Sequence, residues 1–244
     1  MLSTVLELEL VTVDFEPIAS LREGKVVAWR LVRRPRTELL AGLPPITAEG
    51  LAALADDEGR GACLERLWQK VSLERIARHA PAAPVLVPIE PSVLDPRWGA
   101  GSLRRAARSL RGPVALAFDP TCVPRAAIEA RLAGFEVAAM GPAWQDARPH
   151  WRLVEAAQAL RDAALIVPTT WACDAKLVVT GVARADHLRA LRTAGVDFVC
   201  GAAIGRARAL PNASDVFPDS FASENAREVR TFGHGYREAE ALHV

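Results

Sequence analysis

An α/β fold closed into a (β/α)8 barrel of the TIM type, entered through a β-hairpin, is what this 244-residue sequence predicts, on three observations. Short continuous apolar runs alternate with helical stretches, the pattern of parallel strands buried on both faces under a layer of helices. Seven or eight such runs can be counted, which favours closure into a barrel over an open sheet. The length matches the ~250 residues of a single barrel domain. The expected barrel covers residues 1–212, and residues 213–244 form a C-terminal extension.

The elements follow in order. Val11 to Leu21 and Lys25 to Val32 are extended and joined by Arg-Glu-Gly, where Gly24 supplies the positive φ of a tight turn. Thr47 to about His79 reads as helix, with Leu64, Leu67, Val71 and Ile76 near a 3.6-residue period. Strands are expected at Val85 to Ile89, Val114 to Phe118 and Phe135 to Met140. Helices fall between them at Ser102 to Leu110 and Pro124 to Leu132, the second with its proline at the first helical position. Between Ala143 and Lys176 either Trp151 to Val154 or Ala164 to Val167 forms the next strand, and periodicity does not choose between them. Leu177 to Val179 is a strand, Ala185 to Ala194 a helix stopped by Gly195, and Asp197 to Cys200 the last strand. Beyond Pro211 the chain is richer in Pro, Ser, Asn and charge, yet it carries Val216, Phe217, Phe221, Val229, Phe232 and Tyr236. That segment packs on the barrel or stays partly disordered.

Composition narrows the function classes. Thirty basic against 29 acidic residues give a net charge of +1, so no global field selects nucleic acid or an anionic membrane, and any basic site is local. No apolar run approaches the ~18 residues of a membrane span, and the first nine residues lack a secretory pattern, so a cytoplasmic protein is expected. Cys63, Cys122, Cys173 and Cys200 form no CxxC pair and read as reduced core residues. His79, His150, His187, His234 and His243 are scattered without metal-site spacing and read as solvated. Gly201-Ala-Ala-Ile-Gly205 lacks the Lys-Ser/Thr of a phosphate loop, and no Gly-x-Ser-x-Gly elbow exists. Trp98, Trp144 and Trp151 fall near proposed loops, where aromatic residues often anchor partners, although core packing is the simpler role for each.

Two stretches carry a family resemblance. Phe15-Glu-Pro-Ile-Ala-Ser-Leu followed by Gly24-Lys-Val-Val-Ala resembles the opening of EAL domains, the cyclic di-GMP phosphodiesterase family, and its approach to the Glu-Ala-Leu signature. Val178-Val-Thr-Gly-Val-Ala-Arg, then Leu191-Arg-Thr-Ala-Gly-Val-Asp-Phe-Val-Cys-Gly, then Gly205-Arg206, is similar to the family's Glu-Gly-Val-Glu strand, the helix after it and the closing strand. The likeness runs from about residue 12 to residue 212, in the family's order.

That resemblance implies a site that hydrolyses a phosphodiester through two divalent ions, which want a ring of oxygen ligands at the strand ends. The sequence departs from it position by position. Arg30 stands at the place of the signature Glu, Pro88 at that of a metal-binding Asn, and Ala117 at that of the fourth-strand Glu. Met140 and Gly141 replace paired aspartates. Thr180, Ala183 and Cys200 replace two further Glu and a Gln. The general-base lysine has no clear counterpart; Arg152 is nearest, and a guanidinium does not deprotonate at neutral pH. The expected mouth is stripped of acidic oxygens and carries a guanidinium, so hydrolysis by the family mechanism is expected to be absent and no cofactor is implied.

Arg34 sits where the signature arginine grips phosphate, with Arg30 and Arg33 beside it. Strand alternation puts Arg30 and Arg34 on one face and Arg33 on the other. The candidate ligand-binding residues are therefore Arg30, Arg34, Glu90, Asp119 and Arg206, each weighed against a bland reading: arginines paired with barrel acids, and acids at the surface or at helix caps. The expected function is that of a catalytically inactive EAL-fold regulatory protein acting through protein–protein contact in bacterial signalling. A homodimer is compatible with this, and the alternative is a metal-independent cyclic di-GMP receptor using Arg34.

Overall fold

The structure is a computed structural model that describes residues 1–36, 45–79, 81–90, 110, 112–118, 128, 130–140 and 148–209. Eight strands close into a barrel in chain order: β1 (Val11–Ser20), β2 (Lys25–Pro35), β3 (Val85–Pro88), β4 (Val114–Phe118), β5 (Glu136–Met140), β6 (Trp151–Glu155), β7 (Lys176–Thr180) and β8 (Phe198–Cys200). β1 runs antiparallel to both β2 and β8, and every other neighbouring pair is parallel. The entry hairpin turns on Gly24, whose φ of 64° lies in the left-handed region that a residue with a Cβ avoids.

Five helices are described: α1 (Leu2–Glu7), α2 (Ala48–Asp57), α3 (Gly61–His79), α4 (Ala156–Trp171) and α5 (Ala185–Thr193). The stretch expected as one helix from Thr47 to His79 is two, broken where Gly59 adopts a φ of 65°. Thr47 caps α2 by accepting the Gly50 amide at 3.1 Å. Thr47→Ala is expected to cost about 1 kcal/mol, read as a fall of about 2–4 °C in Tm for a domain of this size.

Of the two candidates for the sixth strand, Trp151–Glu155 forms it, while Ala164 to Val167 lies within α4. The reason is burial. α4 sets Ala156, Ala159, Ile166, Val167 and Thr170 against the barrel, a helical stripe, whereas β6 is buried at four successive positions as a central strand must be. The helix expected from Pro124 to Leu132 is helical at residues 128 and 130–132, its described part. The helix expected from Ser102, apart from Leu110, lies outside the described residues, as do Trp98, Asp119, Cys122, Gly141, Trp144 and the proposed extension 213–244.

Alternation divides the strands into an outer face under the helices and an inner face in the lumen. Val13, Phe15, Trp29 and Leu31 pack outward with Leu64, Trp68 and Ile76 of α3. Ile18, Ala28, Leu86, Ala115, Ala138, Val178 and Cys200 fill the lumen. At its lower end the Trp151 indole donates to Glu136 Oε2 at 2.6 Å, lies 4.5 Å from Lys176 Nζ and meets Phe198 edge-on at 6.2 Å. Trp151 is thus a buried barrel plug, 2% exposed, and not a loop anchor.

Two further expectations are corrected. Cys63 and Cys173 are exposed; only Cys200 of the described cysteines is a core residue. His79 is packed edge-on to Phe15, whereas His150 is exposed, as expected, and accepts the Val137 amide at its Nδ1 at 3.1 Å. Burial beside Arg75 and Arg78 holds the His79 imidazole below its ordinary pKa.

Candidate functional site

The upper end of the lumen, at the C-terminal ends of the parallel strands, is where a (β/α)8 barrel places its chemistry. Cα partners across neighbouring strands share a face, so the register sorts the strand residues into lumen and outer positions. Arg30 stands opposite Glu16 on β1, Pro88 opposite Ala117, Ala117 opposite Ala138, and Met140 opposite Leu153. Thr180 faces inward from β7, its hydroxyl 3.4 Å from the Val154 carbonyl, and Cys200 stands opposite Ile18.

Two carboxylates that the sequence reading missed stand on the lumen face of β1. Arg30 Nε lies 2.9 Å from Glu16 Oε2, an ion pair without an aligned hydrogen bond between those two atoms, and only 13% of the Glu16 side chain is exposed. Two residues from Glu16 along β1, Asp14 accepts at its Oδ2 from Arg34 Nη1 at 2.7 Å. The mouth is therefore not stripped of acidic oxygens; both acids are instead committed to arginines. The turn at Gly24 alone would set Glu16 across from Trp29; a register shift between Ile18 and Ala19 brings it opposite Arg30, and no local pattern announces that shift.

Cys200 completes the inner group. Burial, then the adjacent Glu16 carboxylate, pushes its thiol up to about 12, with Arg30 pulling the other way. It stays a neutral thiol and supplies neither a nucleophile nor a soft ligand at physiological pH.

Arg33 and Arg152 point away from the lumen. Arg33 donates to Glu65 of α3 and to the Pro88 carbonyl at 2.9 Å, Glu65 accepts the Glu90 amide at 2.9 Å, and the guanidinium lies 5.9 Å from the Trp68 ring. This group ties α3 to the ends of β2 and β3. Arg152, the nearest candidate for a general-base lysine, donates to the Ile166 carbonyl and to the Thr169 and Thr170 hydroxyls of α4. Its β6 neighbours Trp151 and Leu153 face inward, so Arg152 lies outside the mouth.

The remaining candidates are dispersed. Glu90 is exposed just past β3, and Arg206 is exposed in the segment after β8. Asp119 lies outside the described residues. Arg34 faces a cavity of about 540 Å³, open to solvent and lined by Thr12, Asp14, Arg34, Arg36, Arg75 and Ala209. No helix among the described residues is long and apolar enough to cross a membrane.

No protein-family model and no curated protein matches the sequence. Solved structures do match. The FimX EAL domain from Pseudomonas aeruginosa, bound to cyclic di-GMP, superposes with a TM-score of 0.72 at 14% identity, covering 88% of this chain and 97% of that one. The chain has the fold of an EAL domain. The Xanthomonas citri FimX EAL domain in complex with cyclic di-GMP gives 0.69 at 14% identity, over 87% of this chain and 94% of that one. Klebsiella pneumoniae BlrP1, in a calcium and cyclic di-GMP complex, gives 0.67 at 15% identity, over 82% of this chain and 56% of that one.

Placed in the EAL fold, the described mouth does not fit a pair of divalent ions. Such ions require several hard oxygen ligands, and lumen positions from β3 to β8 present Pro88, Ala117, Met140, Leu153, Thr180 and Cys200. Glu155, on the inward face at the end of β6, is exposed. Among the described residues no three His, Cys, Asp or Glu side chains come close enough together to hold a metal ion.

Proposed function

We propose that this chain is a catalytically inactive EAL-fold regulatory protein of the bacterial cytoplasm that acts by contact with another protein. The observation that supports this most directly is the Arg30–Glu16 ion pair: a fixed positive charge, with its counter-charge, occupies the lumen face where the resemblance calls for the first metal-binding carboxylate. A guanidinium there repels a divalent cation, and its one carboxylate neighbour is already neutralised. The hydrolytic reaction has neither its metal ligands nor a titratable lysine at the mouth among the described residues. The fold remains as a rigid display surface.

Two measurements test this. Incubation with cyclic di-GMP and manganese is expected to yield no linear dinucleotide above the buffer rate, and steady turnover contradicts the proposal. A tagged full chain expressed in its native host is expected to hold a protein partner in a stoichiometric complex that reforms from purified components. Light scattering separates a second copy of the chain from a different protein.

The second reading, a metal-independent cyclic di-GMP receptor, is favoured by one observation. Arg34 keeps 68% of its side chain exposed although paired with Asp14, so donors remain for a phosphate. The FimX EAL domains that this chain resembles in fold were captured with cyclic di-GMP. Under this reading calorimetry gives micromolar or tighter binding that Arg34→Ala abolishes, and the partner complex forms only with the nucleotide present.

A further inference from the structure

The cavity beside Arg34 is built from two elements that the sequence separates widely. Arg34 and Arg36 leave the end of β2, where the Arg36 amide is held by the Leu10 carbonyl at 2.9 Å. Arg75 reaches in from α3, and its Nη2 donates to the Ala209 carbonyl at 3.1 Å, which fixes the guanidinium against the cavity wall. Thr12 and Asp14 of β1 supply the rest of the polar lining.

Its charge does not close among the described residues. Three guanidinium groups face one carboxylate, and that carboxylate, Asp14, pairs with Arg34. Neither Arg36 nor Arg75 has a carboxylate partner among the described residues. The other arginines of β2 differ, since Arg30 is matched by Glu16 and Arg33 by Glu65. The lining is thus two positive charges in excess, in a space large enough for an oxyanion and part of the molecule that carries it.

We infer that the Arg34–Arg36–Arg75 cavity is a binding site for a terminal phosphate group, a phosphomonoester dianion, in preference to the singly charged phosphodiester of a cyclic dinucleotide. A monoester carries about −1.5 to −2 charges at pH 7, which matches the excess, whereas a diester carries one. Guanidinium groups from two rigid elements meet the several oxygens of a terminal phosphate with paired donors, a geometry that a flexible ammonium does not reproduce. Asp14 orients Arg34 and rejects ligands of low charge, because a weak anion does not offset the carboxylate's own repulsion. The site is independent of the adaptor reading and shares only Arg34 with the receptor reading.

Methyl phosphate and dimethyl phosphate, which differ by one ester, are the probes, titrated into the full-length protein and followed by 31P NMR at low salt. Saturable binding of methyl phosphate is expected, with dimethyl phosphate at least about tenfold weaker. Arg36→Gln and Arg75→Gln are each expected to weaken methyl phosphate by about tenfold, the loss of one charge-assisted contact. Arg36 is exposed, so its variant retains the fold, and circular dichroism checks both; Arg75→Lys is expected to recover only part of the affinity. Equal binding of the two esters overturns the inference, as does unchanged methyl phosphate binding in both folded glutamine variants. Cyclic di-GMP binding that depends on Arg34 but ignores Arg36→Gln and Arg75→Gln, with no methyl phosphate binding, overturns this site while leaving the receptor reading standing.

Discussion

Trp151→Ala is expected to lower the stability of the chain by about 3–5 kcal/mol, or roughly 10 °C in Tm, the largest effect of any single change considered. The indole is 2% exposed and closes the lower lumen between Ala138 on β5 and Lys176 on β7. The neighbouring lumen residues Ala115 and Ala138 are too short to collapse into the space it leaves, so a cavity term adds to the lost burial. Glu136 also loses the indole N–H that it accepts, and Lys176 loses the ring against which its ammonium rests. Trp151→Phe keeps most of the volume and removes the N–H, so it is expected to cost only about 1–2 kcal/mol. Denaturant unfolding of the two variants checks the split, and an alanine variant no worse than the phenylalanine one contradicts the role given to the plug.

Glu16→Gln is expected to cost about 2 kcal/mol. Removing one partner of a buried ion pair strands the other charge, a penalty of about 3–5 kcal/mol when burial is complete, reduced here because the Arg30 side chain keeps 30% of its surface in contact with solvent. The sign reverses when both charges go. Glu16→Gln combined with Arg30→Met is expected to return within about 1 kcal/mol of the parent, since a matched apolar pair avoids the desolvation cost. Chemical denaturation of the single and double variants completes the cycle. Recovery in the double variant supports the ion pair as the organising feature of the mouth, and a single variant as stable as the parent contradicts it.

Much of the barrel was legible because its signal is local. Val114–Phe118 is buried at every position, as a continuous apolar run predicts for a central parallel strand. The sixth strand was ambiguous because Trp151 to Val154, broken only by Arg152, and Ala164 to Val167 are both short, mainly apolar segments. Non-helical dihedrals at Asp162 and the internal Pro168 also interrupt the periodicity by which α4 would announce itself. α1, at six residues, is too short to show a period.

The site divides along the same line. Alternation along β2 separates Arg30 and Arg34 from Arg33, and the contacts of each follow that division. Glu16 and Asp14 were missed because their importance lies in cross-strand register and not in their own segment. Arg75 and Ala209 meet across 134 positions, a contact that no local pattern encodes. Arg152 was placed at the mouth by analogy with a lysine, while the alternation of β6 turns it toward α4.

The central claim is that this EAL-fold mouth, with Arg30 set against Glu16, Arg34 against Asp14 and no cluster of metal-binding side chains among the described residues, holds no pair of divalent cations. Electron paramagnetic resonance of manganese titrated into the full-length protein tests it most directly. The six-line signal of the hydrated ion is expected to grow in proportion to added metal, as in buffer alone, with or without cyclic di-GMP. Loss of that signal until two equivalents per chain have been added, restored by a chelator, contradicts the account.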